Sequence, residues 1–146
     1  MYTHYPNYIG LDVSATAIQK CISLFKEDVT KSFYLYNSLA FKDNHHLFSA
    51  DLSLSLDVIF HLIEDEIFYQ YMNHLFDSSD QYVIIYSSNV EKNQTYHERD
   101  RKFSDWVEQN KKDWEVIQMI ENVYKKDVKD LDNTSKSDFY IYKKKR

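Results

Sequence analysis

The sequence predicts an α/β protein: a parallel-type sheet with helices on both faces. Two observations carry this. Short apolar segments of strand character alternate with stretches of helical periodicity, in the order strand, helix, strand, strand, helix, strand, joined by short links. One of these segments, Tyr82-Val83-Ile84-Ile85-Tyr86, is apolar throughout, as expected of a strand covered on both faces. The 146 residues amount to one domain, 1–146, and are enough to bury a core.

The elements follow in order. Tyr8-Ile9-Gly10-Leu11 is a short apolar strand ending in Asp12. Ser14 is placed to cap a helix, and Ile18, Cys21, Ile22 and Phe25 recur at the spacing of one buried helical face. Glu27-Asp28 ends that helix. Ser32-Phe33-Tyr34-Leu35-Tyr36 reads as a strand closed by Asn37-Ser38, and Lys42 to His46 as a loop. Leu52-Ser53-Leu54-Ser55-Leu56 alternates strictly, with the period of a strand. Asp57 to Leu62 leads to Glu64-Asp65-Glu66, acids that suit the first turn of a helix. Ile67, Phe68, Tyr71, Met72, Leu75 and Phe76 are its apolar stripe, and Asp77 to Asp80 a turn. Phe103, Trp106 and Val107 predict a short helix. Within Trp114 to Tyr124 the periodicity favours a helix, although Glu115 to Ile120 is also rich in strand formers. Asp138-Phe139-Tyr140-Ile141-Tyr142 is a strand.

Composition excludes several classes of function. There is one glycine, Gly10, where average usage predicts about ten. No glycine loop of the kind that cradles phosphates is present. Turns fall to Asn, Asp and Ser. The net charge of -5 argues against nucleic acid as a partner, and the one basic block, Lys143 to Arg146, reads as a solvated tail. A single cysteine, Cys21, forms no internal disulfide and fits a reducing cytoplasm. No Cys/His set has zinc spacing, and no apolar run approaches the ~20 residues that span a bilayer.

Acidic residues close successive strands: Asp12 the first and Asp57 the third. In doubly wound sheets, ligands bind outside the carboxyl ends of the strands, and a carboxylate there offers two acceptor oxygens to the hydroxyls of a ribose. With these acids in place, the segment Tyr8-Ile9-Gly10-Leu11-Asp12-Val13-Ser14 resembles the second strand of the class I S-adenosylmethionine-dependent methyltransferases. Leu54 to Asp65 resembles their fourth strand and following helix, and Tyr82 to Asn89 their fifth strand. Ser137 to Lys144 resembles the antiparallel last strand of that Rossmann-like fold. By the same resemblance Trp114 to Ile120 is the sixth strand, against its helical periodicity.

The resemblance implies a site. Asp12 would bind the ribose hydroxyls of S-adenosylmethionine and Val13 would flank the adenine. Asn37 and Ser38 would lie near the adenine, where many family members carry an acid. Asp57 would line the methionine and methyl-transfer end, with His61 orienting or deprotonating the acceptor. His97, Arg99 and Arg101 would sit at the substrate mouth, and the acceptor would be a small molecule. Each residue also has a plainer reading. Asp12 beside Ser14 is compatible with a helix start, His61 with a hydrogen-bonded core histidine, and His97 to Lys102 with a solvated charged helix. His45, His46 and His74 read as surface residues.

Such enzymes begin with a strand and a glycine-rich turn ahead of the segments seen here. The resemblance therefore implies a truncated domain lacking its first, central strand, either a fragment or half of a split enzyme. An upstream complementing fragment or self-association would complete it. The alternative expectation is a non-enzymatic remnant or interaction module that does not bind the cofactor.

Overall fold

A computed structural model describes residues 7–91, 95–130 and 132–145. It divides into two compact units, one ending at Phe48 and the other beginning at Ser49.

The first unit is a βαβ element: β1 (Tyr8–Asp12), α1 (Ala15–Leu24) and β2 (Lys31–Leu35), with β1 and β2 parallel and Tyr8 to Asp12 in register with Lys31 to Leu35. Ser14 caps α1 as its position predicts, its Oγ accepting from the Ala17 N–H at 3.2 Å. Ile18 is the one fully buried residue of the expected α1 face; Ile22 is exposed. Gly10 sits inside β1 because of packing: a Cβ there would come within 2.8 Å of Phe33 Cδ1. Phe33 in turn stacks on Phe25 with ring centroids 5.7 Å apart.

The second unit holds β3 (Ala50–Leu56), a 3-10 turn (Ile59–His61), α2 (Asp65–Asp77), β4 (Ser79–Ser87), α3 (Phe103–Asn110), β5 (Trp114–Ile120) and β6 (Asp138–Lys144). Its sheet has the order β3-β4-β6-β5. β3 and β4 are parallel, and β6 runs antiparallel to both β4 and β5. The antiparallel last strand thus stands as the resemblance implied. Trp114 to Ile120 is a strand, and a bulge between Val116 and Gln118 explains why its alternation is hidden in the sequence.

Helices α2 and α3 cover one face of this sheet. The apolar side chains Phe68, Met72, Phe76, Phe103 and Val107 meet Val83, Ile85, Trp114 and Tyr142 in a single core. The other face is largely open: Leu54, Leu56 and Phe139 are exposed, and Ile84, between Leu54 and Ile141 in register, is half-buried. Among the described residues of the second unit, helices cover one face of β4, where its uniform apolarity predicts two. Among the described residues, β1 pairs with β2 alone and β3 with β4 alone, so each leaves one edge without a strand partner.

Candidate functional site

In the first unit, Asp12 closes β1 and is exposed. Its Oδ1 accepts from the Ser14 N–H at 2.7 Å, the turn that starts α1. Its second oxygen has no partner among the described residues. Val13, next to it, is 75% exposed. Beyond β2, the Asn37 Oδ1 accepts from the Leu39 N–H at 3.0 Å, and Ser38 is buried. The Tyr36 N–H donates to the Asp12 carbonyl at 2.8 Å, so the ends of β1 and β2 are held level and bring Asp12, Val13, Asn37 and Ser38 to one end of the pair.

In the second unit the carboxyl ends of β3 and β4 carry the remaining residues. Asp57 ends β3 at φ 55°, in the left-handed region that Asp tolerates better than most. Its N–H donates to the Tyr86 carbonyl at 2.8 Å, and its Oδ1 accepts from the Ser137 hydroxyl at 2.6 Å. Ser137 is wholly buried, and nothing in its polar surroundings in the sequence marks it as a partner for a strand end. His61 closes the 3-10 turn and is exposed, which removes the reading of it as a core histidine. Its ring lies against Phe60, centroids 4.5 Å apart, with Nδ1 3.4 Å from the His97 carbonyl. That contact admits an Nδ1–H tautomer, leaving Nε2 as the acceptor nitrogen.

The charged run His97 to Lys102 is not a solvated helix. Residues 95–102 are irregular, and Arg101 is 6% exposed. The Arg101 guanidinium donates to the carbonyls of Leu62 and Ile63 and to Asp65 Oδ1, and lies 4.7 Å from the centre of the Phe68 ring. Arg99 donates to the Ile63 carbonyl at 3.1 Å and pairs with Asp65 at 2.9 Å, while its N–H reaches the Phe60 carbonyl at 2.8 Å. Hydrogen bonding from Arg101 holds the Asp65 carboxyl below its ordinary range. Lys136 bridges Glu98 and Asp100, each at 2.8 Å, over the face of Phe60. Burial works against the Lys136 ammonium, but the two carboxylates outweigh it and raise its pKa; Lys136 likewise lowers that of Glu98. The sequence offered no sign of this link, because Lys136 and Glu98 are 38 residues apart.

The second unit thus gathers Asp57, His61, His97 and Arg99 around the ends of β3 and β4, with Arg101 behind them fastening the segment 62–65. Among the described residues no group of three or more His, Cys, Asp or Glu forms a metal site, and no helix is long and apolar enough to cross a membrane.

No protein-family model matches this sequence, and no curated protein matches it. Solved structures do. The methyltransferase domain of bacterial CtHen1-C matches with a TM-score of 0.68 at 20% identity, over 97% of this chain and 79% of that one. The N-methyltransferase NodS from Bradyrhizobium japonicum WM9 matches with a TM-score of 0.71 at 10% identity, over 96% of this chain and 74% of that one. Magnesium protoporphyrin IX methyltransferase (ChlM) from Synechocystis PCC 6803, solved with bound SAM, matches with a TM-score of 0.64 at 13% identity, over 93% of this chain and 58% of that one. With its parallel strands, interleaved helices and antiparallel last strand, the chain has the fold of the class I S-adenosylmethionine-dependent methyltransferases.

Proposed function

We propose that this chain supplies the adenosine-binding and acceptor-facing parts of an S-adenosylmethionine-dependent methyltransferase acting on a small molecule in the cytoplasm. The observation that carries the reading is Asp12. It is an exposed acid at the carboxyl end of a parallel strand, with one oxygen committed to the helix start and the other open to accept from a ribose hydroxyl.

The residues present fit one half of the cofactor. Asp12 takes the ribose, Val13 flanks the adenine, and Asn37 and Ser38 border it. They do not fit the methionine half, because the only glycine is packed against Phe33 inside β1 and provides no turn at which backbone amides approach a carboxylate. We therefore derive no chemical step through the cofactor. In this reading the glycine turn comes from a segment that these 146 residues do not include, in the same polypeptide or in a complementing fragment, because a second copy would carry the same single packed glycine. His61 presents Nε2 to the acceptor, Asp57 borders the transfer end, and His97 and Arg99 sit at the mouth. Arg101 acts through the segment 62–65, since its donors are already engaged there.

The second reading, a module that does not bind the cofactor, is favoured by that same packed glycine. Calorimetric titration with S-adenosylmethionine separates the two, using the chain alone and the chain joined to a strand and glycine turn. The methyltransferase reading expects weak or no binding by the chain alone and clear binding by the joined form. Asp12→Ala in the joined form then costs about 1.5–3 kcal/mol of affinity, the scale of a hydrogen bond to a charged acceptor. Absence of binding in both forms, with both folded, supports the non-binding module.

A further inference from the structure

Residues 121–130 and 132–137 fold against the carboxyl ends of β3 and β4 and leave a cleft of about 590 Å³ on the face of the sheet away from α2 and α3. Its walls include Asp57, Tyr86, Asn122, Tyr124, Asp132 and Phe139, all in the second unit. Two features set its character. The first is aromatic surface: the Tyr86 and Phe139 rings pack with centroids 4.4 Å apart, and Tyr124 stands 67% exposed beside them. Asn122 holds this wall in place. Its Nδ2 donates to the Tyr86 hydroxyl at 2.6 Å, its Oδ1 accepts from the Tyr124 N–H at 2.9 Å, and its own N–H donates to Asp138 at 2.8 Å.

The second feature is charge. The acidic and basic side chains lining the cleft, among the described residues, are two carboxylates, Asp57 and Asp132, with no lysine or arginine. The nearby Lys125 is engaged by Asp138 at 2.9 Å and Glu121 at 3.6 Å. Asp57 gives only Oδ1 to Ser137 among the described residues. Ring faces and unneutralised carboxylates both attract positive charge, and a cleft with low-dielectric walls concentrates that attraction.

We propose that this cleft binds an ammonium group, and that the acceptor is a small molecule anchored there by that group. No bond is made to the anchored nitrogen; its role is to fix the acceptor's position beside the strand ends. The identification of the ligand as the acceptor rests on the methyltransferase reading, whereas the binding of a cation does not.

The test is a titration of the full chain with choline, followed by NMR at the aromatic side chains, with 3,3-dimethylbutan-1-ol as a neutral probe of the same shape. Choline is expected to shift the Tyr86, Tyr124 and Phe139 signals saturably, and the alcohol to bind at least about tenfold more weakly, the scale of a desolvated cation–π contact. Asp132→Asn, on an exposed loop, and Asp57→Asn, which keeps a side chain tolerant of positive φ, should each weaken choline about fivefold and leave the alcohol unchanged. Equal binding of the two probes, no saturable shift, or shifts confined to other residues overturn the proposal. Selective choline binding by a chain whose joined form ignores S-adenosylmethionine keeps the ammonium site and removes the methyltransferase reading. Cofactor binding without choline selectivity does the reverse.

Discussion

Arg101 donates to the Asp65 carboxylate at 2.8 Å from a position in which its own side chain is 7% exposed and the acid 51%. The two ends of the pair therefore differ in what they hold. Arg101 also satisfies the Leu62 and Ile63 carbonyls and covers Phe68, whereas the Asp65 carboxylate is half-exposed and is shared with Arg99. Arg101→Ala should cost about 2–4 kcal/mol, since it strips donors from the part-buried Leu62 and Ile63 carbonyls and opens space above Phe68. Asp65→Ala should cost less, about 1–2 kcal/mol, because it removes a half-exposed carboxylate shared by Arg99 and Arg101 but leaves Arg101 its two carbonyls. Urea unfolding of both variants checks the asymmetry, and equal losses would contradict it.

Acid should destabilise the second unit through named groups. Asp65 is held below 3.8 by the Arg101 hydrogen bond and Glu98 below 4.5 by the Lys136 hydrogen bond. A carboxyl with a depressed folded pKa contributes stability that is present above its unfolded value and lost as the pH falls through the folded one. The loss therefore begins near pH 4.5 and deepens below 3.8. Glu98→Gln should flatten this limb when urea midpoints are compared between pH 6 and about 3.

The alkaline limb has the opposite sign. Burial pushes the Tyr71 hydroxyl from 10.0 up to about 12 while it donates to Ser55 Oγ at 2.8 Å. The stability this carries is full below pH 10 and is lost as the pH rises toward 12. Tyr71→Phe should lower stability at neutral pH by about 1 kcal/mol, for the hydrogen bond, and remove part of the alkaline loss. Ultraviolet titration of tyrosinate alongside thermal melts reads both effects.

Gly10→Ala tests whether the lone glycine is there for packing. Its added methyl would meet Phe33 at 2.8 and 3.1 Å and the Tyr8 ring at 3.1 Å. Displacing the Phe33 ring from its stack on Phe25 should cost about 1–3 kcal/mol. Gly10→Ala combined with Phe33→Leu should recover part of that loss, whereas a backbone requirement at Gly10 would leave the double variant no better.

Asp57 stands at φ 55° at the end of β3. Asp57→Val should destabilise by about 1–3 kcal/mol, because a β-branched residue is strained there, and Asp57→Gly by less. Thermal melts of the two variants should therefore differ in that order, and equal losses would place the role of Asp57 in its hydrogen bond to Ser137 alone, which both variants remove.

The strands and helices were legible because local pattern fixes them. The α2 stripe of Phe68, Met72, Leu75 and Phe76 is buried as its spacing predicts, and Ser14 caps α1 through its hydroxyl. Asp12 and Asp57 were found for the same reason, since each follows directly on a strand. Features set by distant pairing stayed hidden. The bulge at Val116 and Gln118 disguised β5 as a helix. The run His97 to Lys102 looks solvated in one dimension, but partners at Leu62, Ile63 and Lys136 draw it inward. The aromatic cleft depends on Asn122 reaching Tyr86, 36 residues away, which no local period records.

The edge of β3 has a consequence for handling the protein. Strands at sheet edges are commonly guarded by lysine, proline or a mid-strand bulge. Beyond Asp51, the stretch Leu52 to Leu56 carries no charge and no proline, and the register shift in β3 lies before it, between Ala50 and Leu52. The backbone amides and carbonyls of this edge, without a strand partner among the described residues, are a template on which another extended chain can add, and its leucines supply the dry surface that makes such addition persist. Shelf life in concentrated solution should therefore be set by colloidal stability before thermal stability: turbidity and thioflavin fluorescence should rise with concentration at temperatures well below the melt, and a lysine in place of Ser53 should suppress both.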